Sequence, residues 1–408
     1  MYKRQALWER SNTVWVSPTL TITYGRSFEI ATAEWDQALG WSGVVTLTHD
    51  GRMDVTPQLA RGGDGTLLAL WRTSDGFDFL GTATHPLTLT YALWDGAAWS
   101  APTAALGGLA HVLDVDVAVY SATRAALVLA RDGDGDLGSG ADTELAYATW
   151  DGVAWSALLP LTTDAITDSR PSLAYDPTGQ PLVVWLRAGD LVQQVGWAGT
   201  PTIIRSASTS GAFLDFDLAS AADGNLALVW QALGPAGADA AYSVYDPLHA
   251  SWGADNTLMA DTALDESFAP VLAADALAMT YQKVTIEFVT LTYEISPTLT
   301  ITVPNVPQPV QKDLYFLEHA IGYDLAAGAV VVAPPNPAPG ASALITATVR
   351  NAGDLAVVGG QVAFYDGDPG AGGTLIGITQ TLPGVFRAAT TATVSVAWNV
   401  PAGDAPHT

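Results

Sequence analysis

The sequence predicts an all-β protein. A β-propeller of about six blades, truncated at the N-terminus, is followed by an immunoglobulin-like β-sandwich truncated at the C-terminus. Three observations predict this. Two short motifs, one built on Trp-Asp-Gly and one running from Gly to Trp, recur along most of the chain. Their period lies near fifty residues with four strand signals per unit, which is the signature of propeller blades. Beyond residue 324 the pattern changes to short strand-like runs at the spacing of a sandwich.

The first motif is Tyr91-Ala-Leu-Trp94-Asp95-Gly96-Ala-Ala-Trp99-Ser100, repeated as Tyr147-Ala-Thr-Trp150-Asp151-Gly152-Val-Ala-Trp155-Ser156. Weaker copies run from Trp35-Asp36 to Trp41-Ser42 and from Tyr245-Asp246 to Trp252. Asp-Gly between aromatic-rich strands predicts a hairpin with a type I′ turn, because both residues tolerate positive φ. The flanking Trp then sit on adjacent strands and pack across the pair. They could also stack on sugar rings, but recurrence at one place in each unit favours packing between blades.

The second motif runs from Gly65 to Trp71, Gly179 to Trp185 and Gly224 to Trp230, with short apolar runs between. A turn followed by such a run reads as a buried strand. Degenerate copies end near Ala130 and Tyr281, and Trp8 closes a partial one. The ends step by 63, 59, 55, 45 and 51 residues. Helical solenoids are excluded, since the apolar pattern never keeps a 3.6-residue period. Ser17 to Thr23 recurs as Ser296 to Thr302, so the stretch 296–303 reads as blade rather than linker. Asp313-Leu-Tyr-Phe-Leu317 resembles the strand at Glu144 and could close the ring. The expected division is therefore 1–322 for the propeller and 323–408 for the sandwich.

In the C-terminal part, Pro334, Pro335, Pro337 and Pro339 precede strand-like runs at 343–350, 361–365, 374–381 and 391–400. Ala347-Thr-Val-Arg-Asn-Ala-Gly353, Val362-Ala-Phe-Tyr-Asp366, Gly372-Gly-Thr-Leu-Ile-Gly377 and Val394-Ser-Val-Ala-Trp398 occur in that order. Residues 324–408 thereby resemble the CARDB domain, the cell-adhesion-related domain found in bacteria. The resemblance implies an immunoglobulin-like fold and an extracellular binding or spacer role, and it contributes no catalytic residues.

Composition narrows the function. The 408 residues carry 41 Asp and Glu against 16 Lys and Arg, a net charge of −25. That argues against nucleic acid and against anionic membrane surfaces, both of which need a basic face. No apolar run is long enough for membrane insertion. Hydrophobic residues make up 49%, enough to bury a large core. The chain has no cysteine, so disulfides and thiolate sites are excluded. The N-terminus, Met1-Tyr-Lys-Arg-Gln5, does not read as a secretory signal, and the chain reads as an internal fragment, which leaves location open on that ground. The acidity fits a secreted protein kept soluble by self-repulsion.

Two groups of residues are candidates for chemistry. Asp132, Asp134 and Asp136 alternate with glycine, and Asp142 and Glu144 follow closely. Carboxylates so spaced can wrap calcium, and would repel one another without a cation. Leu137 stands where an EF-hand needs glycine, and a solvated acidic turn is the alternative. Basic residues recur just past the blade ends: Arg10, Arg72, Arg131, Arg187 and Lys283. They read either as a ring that grips an anionic glycan at the propeller mouth, or as partners of nearby Asp and aromatic side chains. The six His show no metal-ligand spacing, and no P-loop, Rossmann fingerprint or nucleophile elbow is present. The expectation is a non-catalytic cell-surface binding or adhesion module with a protein or carbohydrate partner. The alternative is a sialidase-like glycan-processing enzyme with its site at the propeller mouth.

Overall fold

The structure is a computed structural model that describes residues 3–11, 28–36, 38–76, 78–139, 142–221, 225–234, 237–247, 249–261, 264–272, 276–296, 299–355, 357–382, 384–386 and 390–402. Gly224, the Ser17–Thr23 segment and Pro383 lie outside them, as do the side chains of Arg10, Trp8 and Trp35. The described residues are all-β, arranged in several sheets, with one four-residue helix at Ala207–Ser210 and one 3-10 turn. None of the helices is long and apolar enough to cross a membrane. Contacts divide the chain into two compact units. One holds Met1–Tyr242, Asn256–Leu272 and Thr280–Tyr315, the other Ser243–Asp255, Ala273–Met279 and Phe316–Thr408.

The first unit is a series of antiparallel meanders. The first sheet pairs Lys3–Ser11 with Phe28–Asp36, and a single parallel pair, Phe28 with Met53, joins it to the second. The second contains Met53–Arg61, Leu67–Ser74, Leu87–Trp94 and Thr103–Leu109. The third contains Val112–Ser121, Arg124–Arg131, Glu144–Trp150 and Leu159–Pro160. The fourth contains Asp168–Tyr175, Pro181–Arg187, Asp190–Val195 and Thr202–Arg205. The fifth opens with Ala212–Ser220 and Leu226–Gly234, and the next sheet opens with Leu264–Leu272. Long strands at Ala276–Ser296 and Leu299–Ala320 follow, so 299–303 and 313–317 are both strand, as the sequence suggests.

The Gly-to-Trp segments are the second strands, and their Trp71, Trp185 and Trp230 are buried. They read as continuous apolar runs because both faces are covered. In Arg124–Arg131, Leu127 and Leu129 pack with Leu68, Leu70, Leu89 and Tyr91 of the second sheet. The alternate residues Ala126, Val128 and Ala130 pack with Leu173, Val183 and Trp185 of the fourth. Adjacent sheets thus share cores with little shared hydrogen-bond ladder.

The Trp-Asp-Gly units do form hairpins, but not through type I′ turns. The turn spans four residues, with Trp94 bridged to Trp99 and Trp150 to Trp155. The Asp95 carboxylate accepts the N–H groups of Ala97 and Ala98, each at 2.8 Å, and Asp151 does the same for Val153 and Ala154. Only the glycine of each pair needs positive φ, 99° at Gly96 and 96° at Gly152. The aspartate side chain caps the loop, and glycine alone relieves its strain. Trp150 is buried, and Tyr91 of the second sheet meets it edge-on at 5.5 Å and Trp155 at 6.0 Å. The tryptophans are therefore packing between sheets.

In the second unit, Leu325–Ala333, Ser342–Asn351 and Thr391–Asn399 form one sheet, and Gln361–Asp366 pairs with Thr374–Thr381. Alternate residues Ile345, Ala347 and Val349 point into a core with Phe364, Ile376, Val394 and Val396. Asn351 is fully buried: its amide donates to the carbonyls of Leu355 and Phe386 at 2.8 Å each and accepts from Gly353 N–H at 3.1 Å. Asn351→Ala leaves two buried carbonyls without donors and is expected to cost at least about 2 kcal/mol, at roughly 1–3 per orphaned group. The check is the urea midpoint of the unfolding transition reported by Trp398.

Candidate active site

The first strands of five successive sheets line one cavity of about 670 Å³. That is the size of sites that enclose small ligands. Its wall carries Asp116 from the third sheet and Asp217 from the fifth, with Ser172 of the fourth between them. The Ser172 hydroxyl donates to Asp217 Oδ1 at 2.7 Å, and the same oxygen accepts Leu218 N–H at 2.8 Å. Asp116 accepts Val117 N–H at 2.8 Å and, from the neighbouring sheet, Leu173 N–H at 2.6 Å.

Both residues are half-buried and line the cavity. Desolvation raises the Asp116 pKa to about 8, and the neighbouring Asp217 charge adds to it. Desolvation likewise raises Asp217, to about 6. Nearby like charge, Asp217 for Asp116 and Asp215 for Asp217, further favours the protonated forms. A proton donor beside an ionised carboxylate is the equipment of general acid–base catalysis.

Toward the 120–124 hairpin the cavity is aromatic. Tyr120 and Tyr175 pack at 5.6 Å, and the Arg124 guanidinium lies 5.3 Å and 5.5 Å from their ring centres. Burial pushes the Tyr175 phenol up to about 12, so it stays neutral. Tyr120 is exposed at 38% and offers an apolar ring face to a ligand. Asp64 and Asp176 also line the cavity, and Arg61 is the one cation on its wall among the described residues. No arginine triad converges here among the described residues. The anionic field disfavours an acidic sugar.

The expected calcium ligands are only partly brought together. Oxygens of Asp132, Asp134 and Asp142 lie within 4.8 Å of one another. Asp136 is outside that group and caps Gly138 N–H at 3.0 Å. Glu144 faces Asp164, Asp168 and Arg187 instead, because the strand it opens turns it toward the fourth sheet.

Of the five rim cations, three are taken up by internal partners. Arg72 is buried, and its guanidinium donates to the carbonyls of Phe79, Val112 and Leu113 at 2.9–3.2 Å. Arg187 pairs with Asp168 at 3.0 Å and with Asp164. Lys283 lies over the Tyr315 ring at 5.6 Å. Arg131 is exposed beside Gly133, Asp142 and Glu144, away from the cavity. The Arg10 side chain lies outside the described residues.

Sequence reasoning missed Asp116 and Asp217. The signal that could have found them is Leu113-Asp-Val-Asp-Val117, echoed by Leu214-Asp-Phe-Asp-Leu218. Two carboxylates at alternate positions of an apolar strand share one face.

No family model matches the sequence, and no curated protein matches it. Solved structures similar to this chain include a Hadza microbial sialidase, with TM-score 0.40 and 11% identity, covering 62% of this chain and 57% of the sialidase. The chain thus spans little more than half of that enzyme's length. A GH93 α-L-arabinofuranosidase of Fusarium graminearum has TM-score 0.44 and 12% identity over 69% of this chain and 87% of the enzyme. An endo-arabinase from Bacteroides thetaiotaomicron has TM-score 0.33 and 15% identity over 58% of this chain and 89% of that one. The three named structures are glycan-cleaving enzymes, which runs against the expectation of a non-catalytic adhesion module.

Proposed function

We propose that this protein cleaves a glycosidic bond in a neutral glycan held in the cavity. The observation that carries the reading is the Asp116–Ser172–Asp217 cluster on the cavity wall. Asp116 gives its proton to the leaving glycosidic oxygen. Asp217 takes one from the attacking water, so the C–O bond breaks and each fragment gains a hydroxyl. Tyr120 supplies a stacking face, and the acidic wall selects against charged sugars. This narrows the alternative raised by the sequence, since the arginines of a sialic-acid site are missing from the described cavity wall. The test is hydrolysis of neutral aryl glycosides and oligosaccharides by the full chain and by Asp217→Asn. Cleavage lost in the variant supports the reading. Activity retained in the variant, or no cleavage of any neutral substrate, overturns it.

Within the same proposal, the meanders are blades of a propeller of about six, because their first strands surround one cavity. The second unit is an immunoglobulin-like sandwich of CARDB type, supported by its two-sheet core and the buried Asn351. An extracellular location accords with a glycan substrate and the net charge of −25.

Calcium at the loop of Asp132, Asp134 and Asp142 also belongs to the proposal. It is supported by Asp132, 1% exposed, whose Oδ2 has no hydrogen-bond partner. Millimolar calcium is expected to raise the thermal midpoint by several degrees, as any native-state ligand must. Asp134→Ala should remove the part of that shift due to this loop. An unchanged shift in differential scanning fluorimetry would refute calcium there.

A further inference from the structure

A second acidic group, which neither the sequence motifs nor the cavity account for, lies where the first and second sheets meet. Oxygens of Glu29, Asp50 and Asp54 fall within 4.8 Å of one another. Glu29 and Asp54 are 6% and 1% exposed, and Glu29 Oε2 and Asp54 Oδ2 are buried with no hydrogen-bond partner. Unpartnered buried carboxylate oxygens are costly unless a cation meets them.

The chain contains its own control. Between the third and fourth sheets stands the same arrangement, residue for residue: Glu144, Thr162, Asp164 and Asp168 match Glu29, Thr48, Asp50 and Asp54. Thr48 Oγ1 accepts Ile30 N–H at 2.9 Å, as Thr162 Oγ1 accepts Leu145 N–H at 2.9 Å. Asp50 caps Arg52 N–H at 2.9 Å, as Asp164 caps Ile166 N–H at 3.0 Å. Trp71 Nε1 donates to Asp54 at 3.0 Å, as Trp185 Nε1 donates to Asp168 at 2.6 Å. The copies differ at the cation. In the second copy Arg187, two residues past its Trp, bonds Asp164 and Asp168 and lies in the field of Glu144. In the first copy that position is Thr73, whose hydroxyl donates to Asp54 Oδ1 at 2.6 Å. The nearby Arg52 side chain is turned to Asp75 at 2.7 Å. Three carboxylates therefore keep the geometry of a cation site without the guanidinium.

We propose that Glu29, Asp50 and Asp54 bind a divalent cation, calcium by the hardness of an all-oxygen donor set, in the place that Arg187 fills in the other copy. The ion ties the Phe28–Asp36 strand of the first sheet to Met53–Arg61, the opening strand of the second.

The test uses terbium as a calcium substitute, with emission excited through tryptophan, since Trp71 adjoins Asp54. It is run on the full chain in an Asp134→Ala background, so that the 132–142 loop does not contribute. The parent should show sensitised emission that calcium displaces. Glu29→Gln should weaken calcium binding at least a hundredfold. Thr73→Arg, which installs the guanidinium of the other copy, should abolish emission and make the thermal midpoint indifferent to chelator. No emission from the parent would overturn the proposal. So would emission that survives in Glu29→Gln, or in a folded Thr73→Arg.

Discussion

Asp116→Asn and Asp217→Asn are each expected to lower kcat/KM on a neutral glycoside about 10²–10⁴-fold, the usual contribution of one general acid or base. Asparagine keeps the shape but not the acid–base group; at 217 its one oxygen can still accept from Ser172 and Leu218, and at 116 it can keep Leu173 at the expense of Val117. The double variant should fall little below the worse single one, because the two act as a unit. Stability should move the other way. Both folded-state pKa values are raised, so the acidic forms are favoured by folding. That contribution is fully present below about pH 4 and is lost as pH rises through about 6 and 8. Each Asn variant should therefore match the parent at pH 4 and exceed it in thermal midpoint at pH 9. A parent profile flat from pH 4 to 9 would show that folding raises neither pKa.

Arg187→Met is expected to be the most damaging change away from the cavity. Asp168 is fully buried and Arg187 only 17% exposed at the side chain. Removing the guanidinium leaves Asp168 ionised in protein with no cation beside it, which for a buried pair costs about 3–5 kcal/mol. Asp164, half exposed, contributes little to that figure. Desolvation already raises the Asp168 pKa, and the variant raises it further. A raised carboxyl pKa stabilises at low pH and forfeits that as pH climbs, so the loss should grow from pH 4 toward pH 8. Chemical denaturation at several pH values measures it, and Asp168→Asn in the Arg187→Met chain should restore most of the loss. A pH-independent deficit would mean that packing, not charge, is what Arg187 provides.

The buried strands were legible because they repeat. Gly65 and Gly179, both at positive φ, start runs that end on buried tryptophans, and the hairpin aromatics recur in step. What the sequence hid is what the fold assembles. Asp116 and Asp217 meet only when the third and fifth sheets close on one cavity, and the short alternating pattern they share does not say so. The dense run at Asp132 drew attention for its spacing, yet Asp136 and Glu144 are turned away by backbone geometry that spacing does not encode. The Glu29–Asp50–Asp54 group needed two copies of one junction to be laid side by side. Of the two readings of the rim cations, pairing with nearby groups is the one that Arg72, Arg187 and Lys283 follow, because a cation at a repeat boundary finds partners inside the protein.

Neighbouring sheets communicate through side chains that reach backbone groups on the next inner strand. Asp116 accepts from Leu173, Asp215 accepts from Phe268 at 2.9 Å, and Arg170 donates to the Leu214 carbonyl at 2.7 Å. The amide protons of Leu173 and Phe268 are therefore shielded by another sheet and not by their own. In hydrogen-exchange measurements these two sites act as strain gauges. Their exchange rates report how often adjacent sheets part, separately from the fraying of any one sheet. At Leu173 the gauge also carries a chemical dial, since the acceptor is the titrating Asp116. Its protection should rise as that carboxyl ionises and becomes the stronger acceptor.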